Sequence, residues 1–179
     1  MLRYASAAAL FGLLVSTATS DDSKLKVKAG DAFPEVPLAA AQIDKVKKDA
    51  KTVTIKDLKG KVAVVFFYPK ADTPGCTVES CGFRDKAKEF PENVVLVGAS
   101  TDDVIAQQAF IDKFKLPMPL LADTDSKLVK ELGILNAKNS RAQRITFVVD
   151  KDGKIAKIYD KVTPKDHPAE VLEFVKTLK

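Results

Sequence analysis

Lys61-Val-Ala-Val-Val-Phe-Phe-Tyr68 is, after its lysine, an unbroken apolar run rich in β-branched and aromatic side chains, which predicts a strand covered on both faces of a sheet. Further on, Phe83, Ala87 and Phe90 recur at helical spacing among Arg84, Asp85, Lys86, Lys88 and Glu89, the pattern of an amphipathic helix. Asn93 to Ser100 predicts a second buried strand. A helix follows, capped by Asp102 or Asp103, with Val104, Ala109, Phe110 and Phe114 apolar. Leu116-Pro-Met-Pro-Leu-Leu121 breaks that helix and leads into an extended piece. Ser126 is the expected cap of a short helix, Lys127 to Leu132, which Gly133 ends. Arg144 to Asp150 and Lys154 to Tyr159 read as a β-hairpin turning at Asp152-Gly153. Asp166 to Lys179 reads as a closing helix that buries Val171, Leu172, Phe174, Val175 and Leu178.

The part before the central strand is less patterned. Val36-Pro-Leu38 and Thr52-Val-Thr-Ile55 read as extended pieces, and Asp57-Leu-Lys-Gly60 as a turn. Between them the Ala- and Lys-rich stretch 39–51 predicts a short surface helix. Strands alternating with helices and ending in a hairpin and a helix predict a single three-layer α/β domain over residues 30–179. Residues 1–20 stand apart: a basic start at Arg3, an apolar run from Ala5 to Val15 and a small polar end at Ser16 to Ser20 read as a secretory signal peptide. Residues 21–29 are charged and read as a disordered linker. Export to the periplasm or outside is therefore expected, the alternative being an organelle such as a plastid, and no membrane span is expected in the mature chain.

The formal charge of +5 is spread among 24 acidic residues. Its densest basic patch, Lys45, Lys47, Lys48 and Lys51, is interrupted by Asp44 and Asp49 and has no aromatic neighbours, so a solvated face is expected and no nucleic-acid partner.

Both cysteines lie in Pro69-Lys-Ala-Asp-Thr-Pro-Gly-Cys-Thr-Val-Glu-Ser-Cys81, where the central strand hands over to the amphipathic helix. Unpaired backbone N–H groups and the positive end of the helix dipole favour an anionic sulfur there. A helix terminus supplies only about 0.3–1 kcal/mol, so a strongly activated sulfur also requires a cation from elsewhere in the chain. One cysteine pair allows one connectivity. As a staple it would close a very short loop and stabilise little. In an unbroken helix, Cα atoms five residues apart are roughly 8–9 Å apart and point about 140° from one another, beyond the reach of a disulfide. Either the segment is not helical throughout, or it unwinds when the bond forms.

With these residues laid out, the chain resembles the peroxiredoxins, and among them the bacterioferritin comigratory protein or peroxiredoxin Q subfamily of AhpC/TSA-like proteins. The family's Pro-x-x-x-Thr-x-x-Cys motif is present as Pro69, Thr73 and Cys76, its arginine before a Thr-Phe strand as Arg144, and the subfamily's second cysteine as Cys81. The resemblance implies a thioredoxin-like fold, a central mixed β-sheet flanked by helices, and a peroxidase that uses no metal, haem, flavin or other cofactor. It implies that Cys76 attacks the hydroperoxide and becomes a sulfenic acid, and that Arg144 is the missing cation. Thr73 would orient thiolate and peroxide, and Pro69 would cover the sulfur. Cys81 would then close a Cys76–Cys81 disulfide, which thioredoxin or a similar dithiol protein reduces. A monomer is expected. The Gly-Gly-Leu-Gly and Tyr-Phe motifs of overoxidation-sensitive relatives are absent, which implies resistance to hyperoxidation.

Other residues are less informative. Glu79, one turn after Cys76, either bonds within the site or faces solvent. His167, the only histidine, is expected at the surface near a helix N-terminus. One histidine and two cysteines provide no zinc set, and Asp150-Lys-Asp-Gly153 lacks the later ligands of a calcium loop. Two other functions fit a thioredoxin-like domain: a thiol–disulfide oxidoreductase, which would leave Thr73 and Arg144 unexplained, and a non-catalytic binding domain with a stapling disulfide.

Overall fold

The computed structural model describes residues 24–178; the leader assigned to residues 1–20 lies outside them. Eight strands are described: β1 (Ala39–Ala41), β2 (Val62–Phe67), β3 (Val94–Ser100), β4 (Leu120–Ala122), β5 (Leu135–Asn136), β6 (Arg141–Ala142), β7 (Ile145–Val149) and β8 (Ile155–Tyr159). The helices are α1 (Pro74–Lys86), α2 (Val104–Phe114), α3 (Lys127–Leu132) and α4 (His167–Val175). Six strands form one mixed sheet in the order β1-β4-β3-β2-β7-β8, and β5 with β6 forms a separate small hairpin. β3 runs parallel to both β2 and β4, whereas β7 runs antiparallel to β2 and β8.

β2 sits inside the sheet and is buried along its whole length, which is why its sequence shows no polar alternation. Val62, Val64, Phe66 and Tyr68 point into one core with Phe83 of α1, Phe110 of α2 and Val171 of α4. Ala63, Val65 and Phe67 point into the other with Leu128, Val129 and Leu132 of α3. The result is a three-layer α/β domain with a thioredoxin-like central sheet. β2 ends at Phe67, two residues before Pro69, so the cysteine stretch leaves the sheet from its centre.

Three stretches depart from the sequence expectations. The first is 39–51: Ala39–Ala41 is an edge strand paired antiparallel with β4, and only Ile43–Lys45 forms a 3-10 turn. Alanine's helix preference is worth less than about 1 kcal/mol per residue, and pairing with β4 while burying Ala40 and Ala41 outweighs it. The second is the expected linker 21–29, whose described part is docked. Lys26 N donates to Leu132 O at 3.0 Å, Gly30 N donates to Ile155 O at 2.8 Å, and Leu25 and Val27 pack on the α3-side core. Their alternation with Lys24, Lys26 and Lys28 is the period-two signal that the local charge obscured.

The third is the cap of α3. Ser126 makes no side-chain cap and has φ +56°. The fully buried Asp123 carboxylate accepts from the amides of Lys127, Leu128 and Val129 at 2.9, 3.3 and 2.9 Å instead. Because those buried donors have no other acceptor in a first helical turn, Asp123→Ala should destabilise the domain by about 2 kcal/mol. Urea denaturation measures this; a loss under about 0.5 kcal/mol would show that Asp123 is not the effective cap.

Candidate active site

The strand β2, the loop 69–73 and the first turn of α1 fix the site. Thr73 is the N-cap of α1 and Pro74 its first residue, a position where proline's missing N–H costs nothing and its φ suits the helix. Thr77 N donates to Thr73 O at 2.8 Å, closing that turn. No side chain caps it, so the amides of Gly75 and Cys76 keep no intrahelical acceptor. Cys76 is buried at the third helical position, and its sulfur accepts from Arg144 Nη2 at 3.2 Å. Gly75 makes room for this approach: a Cβ there would lie 3.3 Å from Arg144 Nη2.

The structure therefore brings together Cys76, Arg144 and the helix terminus named from the sequence. A hydrogen bond to a charged group contributes about 1.5–3 kcal/mol, more than a helix terminus alone. Thr73 stands at the cap, but its hydroxyl donates to Lys70 O at 3.0 Å rather than contacting sulfur, leaving the oxygen as an acceptor. Pro69, half-buried, begins the loop. Cys81 is half-buried in the same unbroken helix, and both cysteines are free thiols. Burial pushes the Cys81 thiol up from its ordinary value, with Arg84 partly opposing. Among the described residues no three His, Cys, Asp or Glu side chains converge as ligands for a metal ion.

Two residues read ambiguously or wrongly from the sequence belong to this region. Glu79 is fully buried and its Oε2 pairs with Arg144 Nη1. One guanidinium thus bridges the sulfur and the carboxylate. Burial raises Glu79 to about 7, against the pull of Arg144. Burial also works against the charge on Arg144, but Glu79 and Cys76 outweigh it and hold the guanidinium above its usual range. The spacing Cys76 to Glu79 placed both on one helix face, which was the available signal.

His167 was expected at the surface and is instead completely buried. Its Nε2 meets Thr146 Oγ1 at 2.8 Å, and its ring lies edge-on to Phe83 and Tyr159. A lone histidine beside a proline and charged residues carries no sequence mark of burial. Burial lowers it from the ordinary histidine value, with Glu170 opposing.

The loop itself is tied down by a polar chain not expected from the sequence. Tyr68 Oη donates to Gln107 Oε1, and Gln107 Nε2 donates to Ser100 Oγ at 2.9 Å. Ser100 Oγ in turn donates to Asp102 Oδ2 at 2.8 Å, and that same oxygen accepts from Ala71 N at 2.7 Å. Asp103, not Asp102, caps α2, accepting from Ala106 N at 2.8 Å, which leaves Asp102 free to hold the loop.

Residues 29–158 match the AhpC/TSA family. Peroxiredoxin Bcp of Bacillus subtilis is 36% identical over 151 residues, covering 80% of this chain and 96% of its own. The chloroplastic peroxiredoxin Q of Populus jackii is 36% identical over 156 residues, covering 86% of this chain and 70% of its own. Among solved structures, the peroxidoxin BcpB of Mycobacterium tuberculosis superposes with a TM-score of 0.75 at 30% identity, covering 86% of this chain and 99% of that one.

Glu79 gives the site a defined pH signature. Its value when folded lies above the ordinary 4.5, so the folded state binds this proton more tightly than the unfolded one. That stabilisation is complete below pH 4.5 and is lost as pH rises through about 7, a span worth roughly 3 kcal/mol. The neutral isostere Glu79→Gln should be free of this dependence. Denaturation at a series of pH values should show the wild type losing stability relative to the variant across that window. A constant difference would mean that Glu79 is ionised throughout.

Proposed function

The chain belongs to the AhpC/TSA family as a peroxiredoxin of the Bcp and peroxiredoxin Q type, and from that membership we propose that Cys76 is its peroxide-reducing residue. It is a thiol peroxidase. The observation that carries the assignment of Cys76 is the 3.2 Å contact from Arg144 Nη2 to Cys76 Sγ at an uncapped helix N-terminus.

The Cys76 thiolate attacks the terminal oxygen of a hydroperoxide, hydrogen peroxide or an organic one. The S–O bond forms as the O–O bond breaks, sulfur loses two electrons, and the departing oxygen takes a proton to leave as water or an alcohol. The Gly75 and Cys76 amides and the Arg144 guanidinium face the charge that moves from sulfur onto the peroxide oxygens, and groups preset in this way stabilise the transition state. Thr73 Oγ1 accepts a hydrogen bond from the peroxide O–H, whose proton stays on the sulfenic oxygen, and Pro69 shields the sulfur from water.

Cys81 then displaces the sulfenic hydroxyl as water and closes the disulfide. A thioredoxin or similar dithiol protein opens it by exchange. Burial raises the Cys81 thiol above its ordinary value, which suits a group that acts second. No cofactor takes part in this sequence of steps, and the working unit is a monomer.

We also propose export, on the strength of the basic, apolar and small-polar succession in residues 1–20. Intact mass of the exported chain should place its first residue at Asp21; a cell-retained chain that keeps Met1 would contradict this.

Removing the guanidinium in Arg144→Ala should slow the reaction with peroxide by about a hundredfold, as loss of a charge-stabilising donor does elsewhere. Cys81→Ser should reduce one equivalent of peroxide at the wild-type rate and then stop. Stopped-flow peroxide consumption tests both; a slow first turnover in Cys81→Ser would reverse the roles of the cysteines.

A further inference from the structure

The helix that must open for Cys76 to join Cys81 is not held evenly along its length. Upstream of Cys81 its polar ties converge on one residue outside the helix, Arg144, which bonds Cys76 Sγ and pairs with Glu79. The first turn of the helix lacks a side-chain cap, and two buried polar atoms, Glu79 Oε1 and Ser80 Oγ, have no hydrogen-bond partner. Such groups regain bonds to water when a helix opens.

Downstream of Cys81 the helix is clamped. Gly82 lies so close to α4 that a Cβ there would come within 2.8 Å of Pro168 Cγ. Phe83 is fully buried, stacked on Phe66 with ring centroids 4.5 Å apart, and meets the His167 ring edge-on at 5.8 Å and 90°. Arg84 Nη1 donates to Phe114 O at 2.7 Å. His167 is itself braced from behind by Thr146 Oγ1 at 2.8 Å and by the Tyr159 ring at 5.0 Å, while its Nδ1 is buried without a hydrogen-bond partner. Thr146 lies two residues beyond Arg144 along the chain and within β7.

We propose that α1 unwinds from its N-terminus only as far as Gly82, and that His167 with Pro168 is the stop that keeps Cys81 in place while Cys76 travels to it. This rests on the Cys76–Cys81 disulfide proposed above. Cys81 then stays one residue from a fixed point, so its effective concentration toward the Cys76 sulfenic acid remains high. The sulfenic hydroxyl leaves as water with the Cys81 thiol proton as the S–S bond forms. His167 touches neither sulfur; it is a positioning residue that acts through Phe83.

Because the chain has one histidine, ring ¹⁵N spectra report on the stop directly. The disulfide is made with diamide, so the measurement does not depend on peroxide turnover, and intact mass verifies the loss of two hydrogens. With the stop in place, His167 keeps the same tautomer and the same titration, below an ordinary histidine, in the reduced and disulfide forms. The groups able to disturb it are Glu170, at 3.6 Å from Nδ1, Tyr159 and Arg144. A ring that titrates as an exposed histidine once the disulfide has formed would overturn the proposal. If diamide closes the bond but peroxide does not, the peroxidase roles fail while the same spectra still decide the stop.

His167→Ala and Pro168→Ala, which weaken the stop from two sides, should each slow disulfide closure after one equivalent of peroxide by about tenfold. With peroxide in excess, each should also raise the share of Cys76 sulfinate, which takes a second peroxide, with the bimolecular reaction with peroxide unchanged. Closure at the wild-type rate in both variants, or equal slowing of both steps, would show that His167 has only a structural role.

Discussion

The geometry of one helix sets the terms for the rest of the molecule. While α1 is intact it holds Cys76 at its N-terminus against Arg144, and for the same reason it keeps Cys76 and Cys81 too far apart to bond. Five residues of helix separate the two Cα atoms by roughly 8–9 Å, and a disulfide needs less than about 7 Å. The two halves of the proposed cycle therefore require two conformations of the same segment. The surroundings are divided accordingly, with an uncapped start and two unpartnered buried polar atoms on one side of Cys81 and the aromatic core on the other.

Arg144 links that helix to the sheet. It precedes β7, which pairs with the central strand, and its guanidinium serves Cys76 with one nitrogen and Glu79 with the other. Once ionised, as pH rises through about 7, the Glu79 carboxylate next to the same cation reduces the net charge that the sulfur experiences. It also holds the fork in one orientation, so Glu79 contributes geometry at some cost in electrostatics. The chain from Tyr68 through Gln107, Ser100 and Asp102 to Ala71 does for the loop what Glu79 does for the guanidinium. Each holds one part of the site in place through a side chain that does not touch the sulfur.

Much of this was legible in the sequence. The β2 run, the helix after it and the closing hairpin follow from periodicity, and the need for a cation beside Cys76 follows from the weakness of a helix terminus; that Arg144 is this cation was implied only by the resemblance to the peroxiredoxins. What was not legible was tertiary in origin. Ala39–Ala41 forms a strand because β4 offers a partner, not because of its own propensity. Asp123 replaces Ser126 as a cap because the loop turns back toward the helix from three residues upstream, with Ser126 itself left-handed. His167 is buried because α4 lays its N-terminus across Phe83, and no local pattern around a single histidine encodes that. Glu79 lay on the helix face of Cys76, but its burial depended on where β7 delivered Arg144.

The claim that α1 must be folded for the first step and open for the second is tested most directly by a single turnover at varied peroxide concentration, following thiol loss and far-UV circular dichroism together. Two phases are expected. The first should scale linearly with peroxide and leave the helical signal intact; the second should have a rate independent of peroxide and coincide with loss of helix and of the second thiol. Formation of the disulfide with no loss of helical signal would contradict it.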